Sequence, residues 1–586
     1  MKAEHLRTHA RTSLMALGML GALLLSGCKS GAKAPSAEQA WSKLREAEKS
    51  NDPAAVSTWL LAEMLRPGGK PAAVVTARKR LDKLGAKNVI ASLARGIDDE
   101  AHGRVKAAAE HFFDALIQAR SWDDPQAGLY AWYAALRAQE LAPTVTDFAG
   151  KHRAAIDQLI QEPGHIGFRA YGLVVEFWAE DAFTKAEQDI DEKLADKLGC
   201  VADVSLAGPF GGGHHTDVLR PFAPEQPGFW PAHFEREAGQ QQLPGQLPVD
   251  ATGCAVVVDE PVGDGIFYAQ SFIELDQPRS LVLSAGGANQ LWVNDVLVQN
   301  RDVRVWGSWP RIATQVSLPK GRHRLVWKTR EAQTSLRIMQ PDGRPAELHT
   351  SSDQYAGYSL VPPTLGPDPN ELSPFFDNVP AAAETSDLTR FVAAYLADDD
   401  GASDIAAVLF EPLVEKVETA TGIALSTAAI FVAADPIYDQ SQTRDLVHEL
   451  QLRAVEHDSA LWFPTYQNII WDAEQKGATT VVDELETLSK NFPDVPSIPF
   501  SLAELYEELG WGPEYDRAVL SLLAHFPEDE DALRLGVEYY EEAGDFKKVD
   551  ELLERVIKAH PDSELRLTRA LNRRDYKTAQ SELRRL

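Results

Sequence analysis

Three cysteines, a histidine pair and a tryptophan pair are the side chains whose types and spacing could do chemistry in this 586-residue chain. Cys200 and Cys254 each follow a glycine and each precede an apolar, strand-like run, Val201–Leu206 and Ala255–Val258. In an oxidising compartment they can pair, tying the first strand of a β region to a later one. Two separate buried thiols fit the same text, because spacing carries no Cβ geometry. His214 and His215, with Asp217 close by, are metal-ligand types. Adjacent histidines point apart and a zinc site needs three or four converging ligands, so Gly211–Thr216 reads as a solvated loop and no metal is expected. Trp306 and Trp309 stand beside Arg301, Asp302 and Arg304. A flat aromatic face ringed by polar anchors is what a sugar site uses, and the same pair would equally cover one end of a barrel. No Gly-x-Ser-x-Gly, His-Glu-x-x-His or phosphate-cradling glycine loop occurs, so no catalytic residue and no cofactor is expected and the chain reads as a non-enzyme. Ser30 and Lys33 have a nucleophile's spacing but lie in a small, polar tether.

The elements that would position these side chains change character along the chain. Phe267, Ala269, Ser271 and Ile273 alternate with Tyr268, Gln270, Phe272 and Glu274, and further period-two runs follow at Ser280–Ala285, Gln290–Val293 and His323–Thr329. Such runs, split by turn residues such as Asn294-Asp295, predict an antiparallel β-sandwich. Helical periodicity holds on both sides of it. Before it, Gly96, Gly103, Ala108, Phe112 and Ala115 have the spacing of two closely approaching helices with an aromatic in the groove, and Trp122, Tyr130, Trp132 and Tyr133 read as core. After it, Pro493, Pro527 and Pro561 recur every 34 residues, as do Tyr506 and Tyr540, and Gly510 and Gly544.

A period of 34 with tyrosine in the first helix, glycine at the turn and proline after the second resembles the tetratricopeptide repeat, and the segment around Gly96–Ala115 resembles it more loosely. The resemblance implies antiparallel helix pairs stacked into a solenoid whose first helices line a surface for peptides or proteins. The last unit, around Ala570 and Tyr576, looks like its cap. In the β region, Leu291–Val298 with its Asn-Asp turn, then Leu318, Gly321, His323 and Leu325, resemble the galactose-binding-like jelly roll, with Asp295 where that pattern has glycine. The Gly208-Pro209-Phe210 opening is also similar to large bacterial lipoproteins that continue into a transglutaminase-like domain. That domain needs a later cysteine, and none follows Cys254. At the start, the basic residues Lys2, Arg7 and Arg11, the apolar run Ser13–Leu25 and Leu25-Ser26-Gly27-Cys28 resemble a lipoprotein signal and lipobox. This implies lipidation at Cys28, and Lys29 in place of aspartate favours the outer membrane.

Charge narrows the partners. The formal charge is −29, and removal of residues 1–27, which carry three bases and one acid, takes it to −31. Such a surface repels phosphate backbones and anionic membranes, so no nucleic acid is expected and membrane contact comes only through the lipid. The acidic runs Asp398–Asp400, Glu528–Asp531 and Glu541–Glu542 favour a basic partner. The expected organisation is a signal peptide (1–27), a flexible tether (28–40), an N-terminal helical repeat-like domain (41–197), a galactose-binding-like sandwich (198–348), a linker (349–375) and a C-terminal tetratricopeptide-repeat solenoid (376–586). This is a multidomain α and β chain in which helical-hairpin arms flank the sandwich. The function expected is a non-catalytic scaffold for proteins or peptides of the cell envelope, with glycan binding through the sandwich as the alternative.

Overall fold

The computed structural model describes residues 37–585 apart from 186–189, 213, 236–242, 252, 259–262, 302–310, 331–332, 378–385, 435–439 and 560–562. It is a mixed α and β chain in which helices precede and follow antiparallel sheets. No helix among the described residues is long and apolar enough to cross a membrane.

The helices come as antiparallel hairpins. Val89–Ala101 (α1) and Val105–Ala119 (α2) pack so closely that a Cβ on Gly96 would fall 2.6 Å from the Phe112 ring. The small residue therefore lets the helices approach, and Phe112, Ala108 and Ala115 are sealed between them. Later hairpins are Asp387–Asp399 (α5) with Ser403–Val414 (α6), Ser497–Glu508 (α8) with Gly512–His525 (α9), and Glu530–Glu542 (α10) with Phe546–Ala559 (α11). Between the first and these lie Phe148–Gln161 (α3) and Gly167–Thr184 (α4), and Val482–Asn491 (α7) precedes α8.

One turn closes four of these hairpins. Gly103, Gly401, Gly510 and Gly544 all take a left-handed φ, of 70°, 75°, 67° and 70°. In each, the glycine N–H returns to the carbonyl three residues back and the next N–H to the carbonyl five back: 2.9 and 2.8 Å at Gly510–Trp511, 3.0 and 2.8 Å at Gly103–Arg104. These two bonds satisfy carbonyls that a helix end leaves orphaned, and glycine is the residue without a Cβ penalty there. The 34-residue period is carried by the backbone as well: Phe492 and Phe526 have dihedrals of −126°, 65° and −126°, 67°, each with its N–H on the carbonyl four residues back. In the closing hairpin, Leu565–Asn572 (α12) and Tyr576–Arg585 (α13), Arg574 takes the left-handed position at φ 57°.

The main strands are Ser205–Phe210 (β1), Ile266–Leu275 (β2), Arg279–Gly286 (β3), Ala288–Val293 (β4), Val296–Asn300 (β5), Arg311–Leu318 (β6), Gly321–Thr329 (β7) and Gln333–Met339 (β8). One sheet runs β1-β2-β7-β4-β5, with His349–Ser351 also on β2. The other runs from Thr364–Leu365 through β6-β3-β8 to Val256–Val258 and Val249–Asp250. The alternation in β2 is realised: Phe267, Ala269 and Ile273 share a core with Leu283 and Ala285 of β3 and Leu336 of β8, so the two sheets bury one face each against the other. Ile266 and Tyr268 point the opposite way into a second core with Phe210, Trp230, Phe234 and Trp292. Asn294 and Asp295 both have positive φ, 50° and 66°, and make the two-residue turn between β4 and β5.

Where the sequence reading sets two helical arms apart with the β region as spacer, the structure joins the helices. Residues from Ala47 to Leu198 and from Leu372 to Leu461 form a single core. Tyr133 meets Phe391 and Tyr395 edge-on at 6.2 and 5.4 Å, and Thr421 Oγ1 donates to the Met64 carbonyl at 2.5 Å. Periodicity detects pairing between neighbours in sequence, so it carries no signal for contacts hundreds of residues apart. Farther on, Val105 enters the core of α7 to α10, and Lys106 pairs with Asp494 at 3.1 Å.

Candidate functional site

The loop singled out for its histidines is organised by Asp217. Its carboxylate, 1% exposed, accepts from Gly212 N at 2.8 Å, His214 N at 3.1 Å and Arg220 at 2.9 Å. The Gly212 N–H, followed by Arg220 and the His214 N–H, holds that carboxyl below its ordinary range. Asp217 is thus a loop anchor whose oxygens are taken by donors. No group of three His, Cys, Asp or Glu side chains among the described residues has the arrangement to hold a metal. Cys200 and Cys254 are joined in a disulfide with a Cα–Cα distance of 5.2 Å, at the edge of the helical core. Trp306 and Trp309 lie outside the described residues, as do Asp302, Arg304, Pro561 and Cys28.

Sequence reasoning did not find a buried ionic layer on the outer face of the β1-β2-β7-β4-β5 sheet. Arg324 and Lys328 project from β7 on the face opposite Leu325 and Trp327, and are 2% and 1% exposed. Arg324 Nε donates to Gln270 at 2.7 Å, and its guanidinium pairs with Asp295 at 2.5 Å. Asp295 in turn accepts from the Tyr358 hydroxyl at 2.7 Å. Asp295 therefore does what the glycine of the usual hairpin cannot, supplying the counter-charge to a buried guanidinium. Lys328 Nζ donates to Glu225 at 3.0 Å and to the Arg220 carbonyl at 2.7 Å, and Glu225 also accepts from the Tyr268 hydroxyl. Burial pushes the Lys328 ammonium down in pKa, with Glu225 opposing. Chemically this layer is a clamp: it pins the segment from Arg220 to Trp230 over the sheet and spends its charges on one another. The signal was the cluster Phe222, Trp230 and Phe234, three aromatics in a loop-like stretch that need a surface to cover.

The residues of the 34-residue spacing lie on the hairpins from α7 to α11. Tyr506 is buried, its hydroxyl donates to Glu486 of α7 at 2.8 Å, and its ring stacks on Trp511 at 6.0 Å. Trp511 is 40% exposed and, with Glu486, Lys490, Tyr506, Glu514 and Arg517, lines a surface groove of about 720 Å³ between α7 and α9. Gly510 and Gly544 occupy the turns, Tyr540 lies in the last turn of α10, and Pro527 follows α9. The first helices of successive pairs, α8 and α10, carry exposed Glu504, Glu507 and Glu538 with Asp531. Burial, then Glu507, Asp531 and Glu538, raises the Glu504 carboxyl above its ordinary range, so these acids feel one another as one field.

No protein-family model matches this chain, and no curated protein matches it.

Proposed function

We propose that this protein is a lipid-anchored scaffold of the cell envelope, held through Cys28 in the outer membrane, that binds basic segments of partner proteins on tetratricopeptide-like repeats. In this reading the two sheets with one shared core are a galactose-binding-like sandwich. The hairpins that close on the same left-handed turn are the repeats.

The observation that carries the reading is the acidic stripe on α8 and α10. Stacked hairpins bring Glu504, Glu507, Asp531 and Glu538 side by side although 34 residues separate the two helices' landmarks, and such a field attracts a cationic partner and speeds its encounter. Trp511 in the neighbouring groove supplies an exposed aromatic anchor of the kind that dominates interface energetics.

The test is capture of partners from envelope extract on the full mature chain, beside a chain carrying Glu504→Lys, Glu507→Lys and Glu538→Lys. A basic partner should be captured at low salt, released as salt rises, and lost in the charge-reversed chain with its unfolding midpoint unchanged. Equal recovery on both chains refutes the reading. Deleting residues 376–586 is no substitute, because it would strip away 22 of the 72 buried residues in the core that those residues share with the N-terminal helices.

A further inference from the structure

The closing hairpin of the helical stack does not present a polar outer face. In a solenoid the end repeat turns polar side chains outward, because no neighbour covers them. On α13, Tyr576 and Leu583 are seven residues apart and so share one side of the helix, and they are 70% and 61% exposed. Leu571, at the end of α12, is exposed as well.

The charge around these side chains is positive. Arg566, Arg569 and Arg573 are already paired with Glu582, Glu554 and Asp550 and are set aside. Arg574, in the turn at φ 57°, and Lys577 are exposed, and neither side chain makes an ion pair among the described residues. Lys577 feels Asp575 through its field alone, since the Asp575 carboxylate is taken by Thr578.

A second uncovered face lies at the other end of this stack. A groove of about 590 Å³ runs between the helices Gln440–His457 and Trp462–Lys476 and α7. The first helix contributes exposed Leu452 and half-buried Val455, the second Ile469, and α7 Leu488. Asp483 and Glu484 of α7 border it, both exposed and without an ion pair among the described residues, whereas Asp472 is already held by Lys476 at 2.7 Å.

One face is apolar with unpaired cations and the other apolar with unpaired anions, so each complements the other. They do not meet within one chain: the hairpins α8–α9 and α10–α11 stack between them, and in such a stack each hairpin touches only its neighbours. Two closing hairpins set face to face would bring Arg574 and Lys577 against their own copies, which disfavours a symmetric pair.

We propose that each face is covered by a second copy of this chain, joined head to tail: Tyr576 and Leu583 of one copy pack on Leu452 and Val455 of the next, with Arg574 and Lys577 beside Asp483 and Glu484. Each added copy brings another groove and another hairpin, so assembly continues past two copies. None of these residues belongs to the acidic stripe on α8 and α10, so self-association stands or falls separately from partner capture.

Sedimentation velocity of the full mature chain tests this. Its average mass should rise with concentration between about 1 and 100 μM at low salt and fall back as salt is added. Asp483→Lys with Glu484→Lys reverses the groove, and Arg574→Glu with Lys577→Glu reverses the hairpin. Either pair should weaken association at least about tenfold and leave the unfolding midpoint unchanged, since all of these side chains are exposed. Mixed one to one, the two reversed chains should form a dimer and stop there, because the first keeps its hairpin and the second keeps its groove. A chain that stays monomeric at every concentration, association indifferent to both reversals, or no dimer in the mixture overturns the proposal. If the monomer instead binds phosphatidylglycerol vesicles through Arg574 and Lys577, that face belongs to a lipid surface and the proposal falls.

Discussion

Gly103 and Gly510 occupy the same turn, with φ of 70° and 67°, yet replacing each by alanine should have very different consequences. At Gly510 a Cβ meets no atom within 4 Å, so Gly510→Ala costs only the left-handed conformation, about 1–2 kcal/mol. At Gly103 the new Cβ would fall 2.5 Å from Phe492 Cδ1 and 3.2 Å from Cγ. Phe492 closes α7, so the clash drives apart the N-terminal hairpin and the repeat that docks on it. Overpacking adds about 1–3 kcal/mol, and the total for Gly103→Ala is about 2–5 kcal/mol. Urea unfolding of the two variants in parallel, followed by circular dichroism, measures the difference as a shift in midpoint at constant slope. Phe492→Leu removes the offending ring, so in its background Gly103→Ala should fall towards the Gly510→Ala cost, a coupling that a double-mutant cycle isolates. If Gly103→Ala costs no more than Gly510→Ala, or is indifferent to Phe492→Leu, the docking of the two helical stretches through this turn is wrong.

Three further outcomes follow from other contacts. Asp295→Gly relieves a left-handed φ of 66° but strips the counter-charge from Arg324, and breaking a buried pair costs about 3–5 kcal/mol, so thermal unfolding should show net destabilisation despite the better turn residue. Cys254→Ser should lower stability by up to about 4 kcal/mol in the chain-entropy model for a separation of 54 residues, and the wild-type chain should change mobility on a gel when reductant is added. His102 is partly buried, which alone would lower its pKa, but its bonds to Asp458 and Asp98 prevail and raise it to about 10. The stabilisation it supplies is then complete below its unfolded value of about 6.5 and is lost as pH rises towards 10; a chain with His102→Gln should lose that slope in a pH series of unfolding midpoints, and an unchanged slope removes the assignment.

How far the residues announce this structure depends on how local the cause is. The β2 alternation, the Asn294-Asp295 turn and the 34-residue spacing of Gly510 and Gly544 each rest on interactions within one element or between adjacent ones, and each is visible in the text. The turn at Gly103 is the same turn, and its match to the later repeats comes from backbone dihedrals rather than from residue identities, which agree poorly around it. Arg324 and Lys328 mislead for a related reason. Charged residues alternating with Leu325 and Trp327 read as a solvated strand face, and only the tertiary placement of Glu225, Asp295 and Tyr358, all distant in sequence, makes that face a buried one.

The shared helical core also explains how the β region is held. The chain leaves the helices at Leu198, which belongs to that core, and returns at Leu372, which belongs to it too. At the exit, Val201 N donates to Leu336 O at 2.9 Å, Ile338 N to Gly199 O at 2.8 Å and Arg337 Nε to Leu198 O at 3.0 Å, so the departing strand is sewn to β8 within four residues. The disulfide at Cys200 sits on the same seam, and its partner Cys254 packs against the helical core. On the return, Gly366 N donates to Gln315 O of β6 at 2.8 Å before Leu372 and Phe375 are buried among the helices. Both crossings are therefore fixed to opposite parts of one sheet, β8 and β6, which flank β3. A module joined to its neighbours at two anchored crossings has far less freedom to swing than one on a single linker, so the β region is held to the shared helical core on both sides.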